Sequence, residues 1–306
     1  MIVVVAPGQG SQTPGFLSPW LEDPAHRELL QSLSEAADLD LVEHGTVSDA
    51  DTIRDTSIAQ PLIVAAGILA YTALLAGGAS KPGGVAGHSV GEITAAAAAG
   101  ILTPSDAMTL VAARGRAMAQ AAALVDTGMS AVIGGDMAEI EAKLAAAGLF
   151  PANYNGGGQL VVAGAKDALA SFAAEPPAGT RVIPLQVAGA FHTPYMQDAV
   201  ERVREVAGTL DASDPTLTIW TNRDGSAVSS GTAFLELLVG QVSSPVRWDK
   251  TMESFSAAGV TGIIELAPAG ALIGLAKRGL KGVPTVGVKT PDDLAAAHSL
   301  LEKAGA

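Results

Sequence analysis

Short apolar runs alternate with longer amphipathic or alanine-rich segments along most of the chain. The first run, IVVVA at residues 2–6, is apolar at every position, as expected for a strand that is covered on both faces of a sheet. Similar short runs follow at residues 83–86, 216–221, 261–266 and 283–288. Because segments of helical length separate these runs, the pattern predicts an α/β protein with a mostly parallel sheet.

The segments between these strands carry helical periodicity and helix-start signals. One helix is predicted over residues 104–124, where Thr103 can cap the first turn, Pro104 takes the first position and Asp106 lies three residues after the cap. The chain between the first strand and about residue 57 reads as polar, helical and irregular. The other predicted helices cover residues 58–76, 195–208, 232–241, 248–258 and 269–280, with a final helix from about residue 291.

The middle of the chain follows a shorter cycle of elements. Its order is β-α-β-β-α-β, which is typical of a ferredoxin-like unit. Because larger α/β elements resume on either side, we predict that residues 127–189 are an insertion into one main domain made of residues 1–126 and 190–306. The predicted strands of the insertion lie near residues 130–134, 150–155, 159–163 and 181–187, and its helices at 137–147 and 166–174.

The composition narrows the class of protein. Of the 306 residues, 48% are hydrophobic, which is enough for a substantial core. The absence of cysteine excludes disulfides, thiolate metal sites and a cysteine nucleophile. The longest apolar run, residues 58–77, is interrupted by Gln60 and Pro61 and reads as a buried helix rather than a membrane span. Residues 1–6 lack the basic start of a signal peptide, so we expect a cytoplasmic protein.

The charge is strongly acidic, with a formal net charge of −13. The negative electrostatic potential of such a chain disfavours binding to nucleic acid or to an anionic membrane. Residues 266–291 are the exception, because they contain no acidic side chain. This stretch is either a solvated helix end or a docking patch for phosphate or for an acidic protein. Its basic residues are Lys277, Arg278, Lys281 and Lys289.

The strongest chemical signal is the sequence GHSVG at residues 87–91, which fits the nucleophile-elbow pattern G-x-S-x-G. A predicted strand precedes it, and an alanine-rich helix follows, with Glu92 in the first turn where it suits the helix dipole. This context predicts that Ser89 is a nucleophile. The alternative is an ordinary glycine-rich turn between a strand and a helix.

A serine nucleophile needs a base within hydrogen-bond reach. Of the five histidines, His192 is the best placed, because it lies in a loop where the predicted insertion rejoins the main domain. His88 precedes the serine within the elbow, so its side chain should point away from the hydroxyl and support the turn. An acyl-transfer serine also needs two oxyanion donors. The backbone N–H of Val90, directly after the serine, and a loop donor at Gln9 are the candidates.

Arg114 is a second, independent clue. Its neighbours three and four positions away on the predicted helix are apolar, whereas Arg116 points to a different and solvated face. A buried guanidinium is costly unless an anion or other acceptors satisfy it. The anion is either a structural carboxylate or a substrate carboxylate that the planar guanidinium holds with two hydrogen bonds.

Four motifs together resemble the malonyl-CoA:acyl carrier protein transacylases of fatty-acid and polyketide synthesis. They are GQGSQ at residues 8–12, GHSVGE at 87–92, Arg114 at 25 residues after Ser89, and GAFH at 189–192. The resemblance also extends over NYN at 153–155 and QVSSPVRW at 241–248 and covers nearly the whole chain. It implies an α/β-hydrolase-like core with a ferredoxin-like insertion.

The resemblance also implies a role for each site residue. Ser89 would be the nucleophile and His192 the general base and acid. The backbone carbonyl of Gln241 would take the third position of the triad, and Gln9 and Val90 would supply the oxyanion N–H groups. No cofactor and no metal are implied, because the substrates are malonyl-CoA and the phosphopantetheine arm of acyl carrier protein.

The same resemblance also implies how the substrate is selected. Arg114 would pair with the malonyl carboxylate, and bulk at Phe191 would exclude a 2-methyl substituent. Asn155 would lie at the substrate site, with a less defined role. The basic residues Lys277, Arg278 and Lys281 would help to dock the acyl carrier protein or coenzyme A.

Two other functions share some of these features. A thioesterase or esterase of the α/β-hydrolase type would share the elbow, but it predicts an Asp or Glu in the triad and has no use for a buried arginine. A non-catalytic module that binds a carrier protein would not need Ser89 at all. Nothing in the sequence indicates an obligate interface, so we expect a monomer.

Overall fold

The computed structural model describes residues 1–303, in which two β-sheets alternate with helices. The strands, in chain order, are β1 (Ile2–Ala6), β2 (Gly84–Gly87), β3 (Thr127–Gly134), β4 (Phe150–Gly156), β5 (Gln159–Ala165), β6 (Thr180–Pro184), β7 (Thr218–Trp220), β8 (Ala227–Val228), β9 (Gly262–Glu265) and β10 (Thr285–Gly287). The helices, in chain order, are α1 (Pro24–Ala37), α2 (Leu41–Thr46), α3 (Thr56–Leu75), α4 (Gly91–Ala98), α5 (Pro104–Leu124), α6 (Met137–Ala146), α7 (Lys166–Ala174), α8 (Gln197–Ala207), α9 (Gly231–Gln241), α10 (Trp248–Ala257), α11 (Ala271–Gly279) and α12 (Leu294–Glu302).

The larger sheet is mostly parallel, as the sequence predicts. Its strand order is β10-β9-β1-β2-β7-β8, and only the pairing of β7 with the short β8 is antiparallel. Parallel strands end at the same edge of a sheet, so the loops that follow β1, β2 and β7 meet there. The elbow serine follows β2, which lies between the other two strands.

Helices cover both faces of this sheet. Along β1, Ile2 and Val4 belong to one hydrophobic core, whereas Val3 and Val5 belong to a second core on the opposite face. Successive side chains of a strand point to opposite faces, so a strand that contacts two cores must be apolar at every position. This explains the uninterrupted apolar run with which the chain begins.

The smaller sheet is antiparallel, with strand order β4-β5-β3-β6. Its elements occur in the predicted order β3-α6-β4-β5-α7-β6. Leu144 of α6 and Phe172 of α7 pack against Val132 and Leu160 of the sheet in a separate core. This sheet therefore has a hydrophobic core of its own.

The two sheets are joined near the elbow by a short backbone ladder. The Val246 N–H donates to the Ala152 carbonyl at 2.9 Å, and the Tyr154 N–H donates to the Val246 carbonyl at 2.8 Å. This ladder holds β4 beside the segment that leads into α10. It thereby brings Asn155, near the end of β4, towards the elbow.

Several element ends differ from the prediction for local reasons. Helix α3 begins at Thr56 rather than 58, because the Asp55 side chain caps it by accepting the Ser57 N–H at 2.8 Å. Strand β6 ends at Pro184 rather than 187, after which Gln186 is exposed outside the sheet. The two-residue strand β8 was not predicted, because so short a run carries no pattern.

Helix α3 is buried in the larger core. The segment Thr56–Gly78 is long and apolar enough to cross a membrane, but 78% of its most apolar window is buried inside the protein. It packs against α5, α4 and α1. Its apolar character is therefore explained by its position in the core, as the sequence predicts.

Candidate active site

The GHSVG sequence forms a tight turn between β2 and α4. Ser89 has a φ of 54°, a left-handed conformation that is unusual for a residue other than glycine. A Cβ at Gly87 would overlap the carbonyl carbon of Gly91, and a Cβ at Gly91 would overlap the Ala6 carbonyl oxygen. The turn therefore requires both glycines.

Asn222 fixes this turn from the neighbouring strand. Its Oδ1 accepts the Ser89 N–H at 2.7 Å, and its Nδ2 donates to the Gly87 carbonyl at 2.7 Å. Asn222 is fully buried and follows β7, which pairs with β2. The sequence analysis missed this residue. A polar side chain just after the strand next to the elbow was the available signal.

His192 lies against the serine hydroxyl. Its Nε2 is 2.6 Å from Ser89 Oγ, and its Nδ1 is 2.9 Å from the Gln241 carbonyl oxygen. A carbonyl oxygen can only accept, so Nδ1 carries the proton and the Nε2 lone pair faces the hydroxyl. Like Ser89, His192 has a positive φ, here 62°. This geometry suits removal of the Ser89 proton.

The imidazole is held in its neutral form. Burial, followed by the positive charge of Arg114, lowers the pKa of His192 to about 3. The hydrogen bond to the Gln241 carbonyl opposes this shift. A neutral imidazole is the form that can accept a proton.

Arg114 is buried directly behind the serine. Its Nη1 donates to Gln60 Oε1 at 2.6 Å, its Nη2 donates to Gln241 Oε1 at 2.9 Å, and the same Nη2 lies 3.5 Å from Ser89 Oγ. Within residues 1–303 no carboxylate forms a direct ion pair with this guanidinium, and its Nε has no hydrogen-bond partner. The acceptors of this buried cation are therefore two neutral amides and, at 3.5 Å, the Ser89 hydroxyl, and a direct structural carboxylate is excluded for the described chain.

Glu92 completes the buried polar network beneath the elbow. Its Oε1 accepts the Asn222 N–H at 2.6 Å, and its Oε2 accepts from Gln241 Nε2. Burial raises the pKa of the Glu92 carboxyl, whereas these donors and the charge of Arg114 lower it and favour the ionised form. The sequence analysis gave Glu92 only a helix-dipole role, and it did not identify Gln60 as a contact of Arg114.

A cavity of about 370 Å³ opens in front of Ser89. Arg114 does not line it, but its partner Gln60 does. In the described chain, the backbone N–H groups of Gln9 and Val90 donate to no protein acceptor, so both are available to an oxyanion. The predicted site residues that line the cavity are Gln9, Ser89, Val90, Asn155, Phe191, His192 and Arg278.

Asn155 contacts His88 rather than the catalytic pair. Its Oδ1 lies 2.9 Å from His88 Nε2, and its Nδ2 donates to Gln159 Oε1 at 3.0 Å. The His88 ring also packs edge-on against Trp248 at 5.6 Å between ring centres. His88 thus points away from the hydroxyl, as the sequence predicts, and Asn155 orients it.

The predicted basic residues lie at the end of α11. Lys277, Arg278 and Lys281 are all exposed, and only Arg278 reaches the cavity wall. The first turns of α11 line the same side of the cavity through Leu272 and Leu275. Elsewhere in residues 1–303, no group of three or more His, Cys, Asp or Glu side chains is arranged as metal ligands.

A strained serine, a buried neutral histidine, a carbonyl that orients it and two free N–H groups are the parts of a serine acyl-transfer enzyme. The comparisons with known proteins agree with this class. The family model "Acyl transferase domain" matches residues 3–298. A malonyl CoA-acyl carrier protein transacylase of Mycobacterium tuberculosis (strain ATCC 25618 / H37Rv) is 49% identical over 299 residues, which cover 96% of this chain and 98% of the relative.

Solved structures give the same result. The crystal structure of MCAT from Mycobacterium tuberculosis has a TM-score of 0.93 at 48% identity and covers 97% of this chain and 99% of its own. A type II PKS acyl-carrier protein in complex with its malonyl-transacylase has a TM-score of 0.91 at 28% identity, with 98% and 99% of the two chains covered. The chain belongs to the malonyl-CoA:acyl carrier protein transacylases within the acyl transferase family.

Proposed function

We propose that this protein transfers a malonyl group from malonyl-CoA to the phosphopantetheine thiol of an acyl carrier protein, through a malonyl ester of Ser89. The observation that carries the proposal is Arg114, a buried cation without a carboxylate partner in the described chain, 3.5 Å from Ser89 Oγ. A guanidinium in this position suits an acyl group that ends in a carboxylate.

In the first half-reaction, Ser89 Oγ attacks the thioester carbonyl carbon while His192 Nε2 accepts the hydroxyl proton. The N–H groups of Gln9 and Val90 stabilise the oxyanion of the tetrahedral intermediate. The carbon–sulfur bond then breaks, and His192 returns its proton to the leaving thiolate of coenzyme A. The products are free coenzyme A and malonyl-Ser89.

The second half-reaction repeats these steps with the carrier-protein thiol as nucleophile. His192 takes the thiol proton, the thiolate attacks the ester carbonyl carbon, and the proton returns to Ser89 Oγ as the carbon–oxygen bond breaks. The Gln241 carbonyl keeps His192 in the required tautomer throughout. Each step uses side chains of this chain and the two substrates, so we propose no resident cofactor or metal.

Acyl selection is assigned to Arg114 and Phe191. Arg114 receives the malonyl carboxylate, whereas Phe191, which is 6% exposed and lines the cavity, limits the space beside the substrate C2 atom. We therefore propose a preference for malonyl over methylmalonyl groups. Asn155 supports the site through His88.

The architecture is consistent with an α/β-hydrolase-like core of residues 1–126 and 190–306 and a ferredoxin-like insertion of residues 127–189. The parallel sheet that carries the elbow and the separate antiparallel sheet support this division. We further propose that the protein acts as a cytoplasmic monomer.

A hydrolase of similar fold is the main competing function. It would place an Asp or Glu carboxylate beside the imidazole, whereas His192 Nδ1 faces the Gln241 carbonyl at 2.9 Å. The test is incubation with radiolabelled malonyl-CoA and a phosphopantetheinylated acyl carrier protein. We expect the label on the carrier protein. Release of free malonate as the main product would support the hydrolase instead.

The lowered pKa of His192 predicts the pH profile of acylation. An unperturbed histidine is protonated below about pH 6.5 and would lose activity there. Because burial and the Arg114 charge lower the pKa of His192 to about 3, the base stays neutral, so kcat/KM for malonyl-CoA should remain flat from pH 8 down to about pH 5. A decline governed by an apparent pKa near 6.5 would contradict this assignment.

The basic residues of α11 and the loop after it predict a specific effect on the carrier protein. Replacing Lys277, Arg278 and Lys281 together by Glu should raise the apparent KM for acyl carrier protein by about tenfold or more at low salt. The rest of the chain is acidic and would repel an acidic partner, so binding should depend on these basic residues. The difference should shrink as ionic strength rises. Steady-state kinetics with carrier protein as the varied substrate would measure it.

A matched control is available at the other end of the sheet. Lys81 is exposed just before β2, whereas the active site follows that strand. Lys81→Glu changes the net charge as much as Lys277→Glu does, but it should leave the carrier-protein KM unchanged. If the two single variants change the carrier-protein KM equally, the change reflects net charge and not a docking patch.

A further inference from the structure

The buried carboxyl of Glu92 has no part in the proton transfers described above. It lies 1% exposed beneath the elbow, in the first turn of α4. A buried ionisable group without a chemical role is costly unless its contacts are needed. These contacts lead through a single side chain, Gln241, to the guanidinium of Arg114.

Glu92 is one of three acceptors that together set the orientation of the Gln241 amide. Glu92 Oε1 accepts the Asn222 N–H, so Oε2 remains for Gln241 Nε2. The same Nε2 also donates to the Ser89 carbonyl at 3.1 Å. With Asn222 Oδ1 at 3.3 Å, three acceptors on one side keep the amide NH₂ group there, and Gln241 Oε1 must then face the opposite direction.

Arg114 lies in that opposite direction. Its Nη2 donates to Gln241 Oε1 at 2.9 Å, and Gln60 Oε1 holds Nη1 at 2.6 Å. The two amide oxygens fix the plane of the guanidinium without neutralising its charge. A carboxylate in direct contact would instead compete with the substrate for the same donors.

We infer that Glu92 is a positioning residue for recognition of the substrate carboxylate, acting through the side chain of Gln241 on Arg114. The inference rests on the proposed malonyl transfer and adds a residue that determines its acyl specificity. A donor faces each carboxyl oxygen of Glu92, as an ionised carboxylate requires, and a carboxylate accepts at both oxygens whereas a carboxamide presents one oxygen and one NH₂ group. Glutamine at position 92 would therefore oppose a donor to either the Asn222 N–H or the Gln241 NH₂ group.

A flip of the Gln241 amide would relieve a conflict between its NH₂ group and that of the new glutamine. The flip would turn the NH₂ group of Gln241 towards Arg114, where two donors would face each other, and the guanidinium would lose its position. The backbone carbonyl of Gln241, which orients His192, would stay in place. The variant should therefore bind the carboxylate-bearing substrate less well, whereas the chemistry at Ser89 should be unaffected.

The test compares malonyl-CoA with acetyl-CoA, which lacks the carboxylate, as donors for Glu92→Gln. We expect the KM for malonyl-CoA to rise about tenfold, as for partial loss of a charge-assisted contact, with kcat and the acetyl-CoA kinetics changed less than about threefold. Glu265→Gln is the matched control. Glu265 is also a fully buried carboxylate, which accepts the N–H groups of Gly270, Leu272 and Ile273. Its amide variant should leave the ratio of malonyl to acetyl transfer unchanged.

A second variant allows the same test if Glu92→Gln does not fold. Gln241→Met breaks the same connection and also removes the amide contact with the Ser89 carbonyl, so its readout is the ratio of malonyl to acetyl transfer, which should fall about tenfold as for Glu92→Gln. The double variant should be no worse than the more affected single variant. Equal losses for malonyl and acetyl donors would overturn the inference. Wild-type protein that fails to transfer malonyl groups would instead overturn the proposed function.

Discussion

Ser89→Ala should lower the rate of malonyl transfer by at least about 10⁴-fold, the scale at which removal of a serine nucleophile acts in comparable enzymes. The alanine variant keeps the elbow, the Asn222 bonds and Arg114, and it loses only the atom that forms the ester. Binding of malonyl-CoA should therefore persist. Single-turnover kinetics with malonyl-CoA, together with equilibrium binding to the same variant, would separate the two effects.

The matched control is Ser130→Ala. Ser130 is a buried serine on β3, and it does not line the cavity. Its variant should keep nearly full activity. Substantial malonyl transfer by Ser89→Ala would show that the serine is not the nucleophile and would favour the reading of the chain as a non-catalytic binding module.

Arg114→Ala should lower kcat/KM for malonyl-CoA by roughly 10²–10³-fold, because truncation of one partner of a buried charged pair costs about 2–5 kcal/mol. Transfer from acetyl-CoA should fall far less, so the variant loses discrimination as well as activity. The change also removes a positive charge that lowers the pKa of His192. The base should nevertheless remain neutral at pH 7, because burial is the largest cause of its lowered pKa.

Arg116→Ala provides the comparison on the same helix. Arg116 is exposed two residues away, and its removal should change neither donor. Steady-state kinetics with both acyl-CoA donors would measure the ratio for each variant. Equal losses for malonyl and acetyl groups in Arg114→Ala would indicate that the arginine holds the elbow together rather than the substrate.

Many of the elements, and the choice of Ser89 and His192 as candidates, follow from local features of the sequence. Helix α5 has a capping threonine, a proline and an acidic residue in order, and it begins and ends at the predicted residues. Ser89 is marked by its two glycines, which the turn requires. His192 could be chosen because so few histidines lie in loops near a predicted junction. The 2.6 Å contact between Ser89 and His192 depends on the fold, because the two residues are 103 positions apart in the sequence.

The network behind the serine could not be predicted in the same way. The side chains of Asn222, Gln60 and Glu92 hydrogen-bond to residues that are distant in sequence. Glu92 belongs to the GHSVGE motif, but the motif does not indicate which residues its carboxyl contacts. Gln60 was noted only as an interruption in an apolar helix, although a buried amide in such a helix needs a partner. The carbonyl role of Gln241 came from family resemblance alone, because any residue has a carbonyl and the sequence cannot mark one.

The covalent intermediate is tested most directly by the intact mass of the protein after brief exposure to malonyl-CoA. We expect a gain of one malonyl group, located on the peptide that contains Ser89 and lost when a phosphopantetheinylated acyl carrier protein is added. The carrier protein should gain the same mass. Unmodified protein that transfers malonyl groups, or a malonyl group found on another residue, would contradict the malonyl-Ser89 ester.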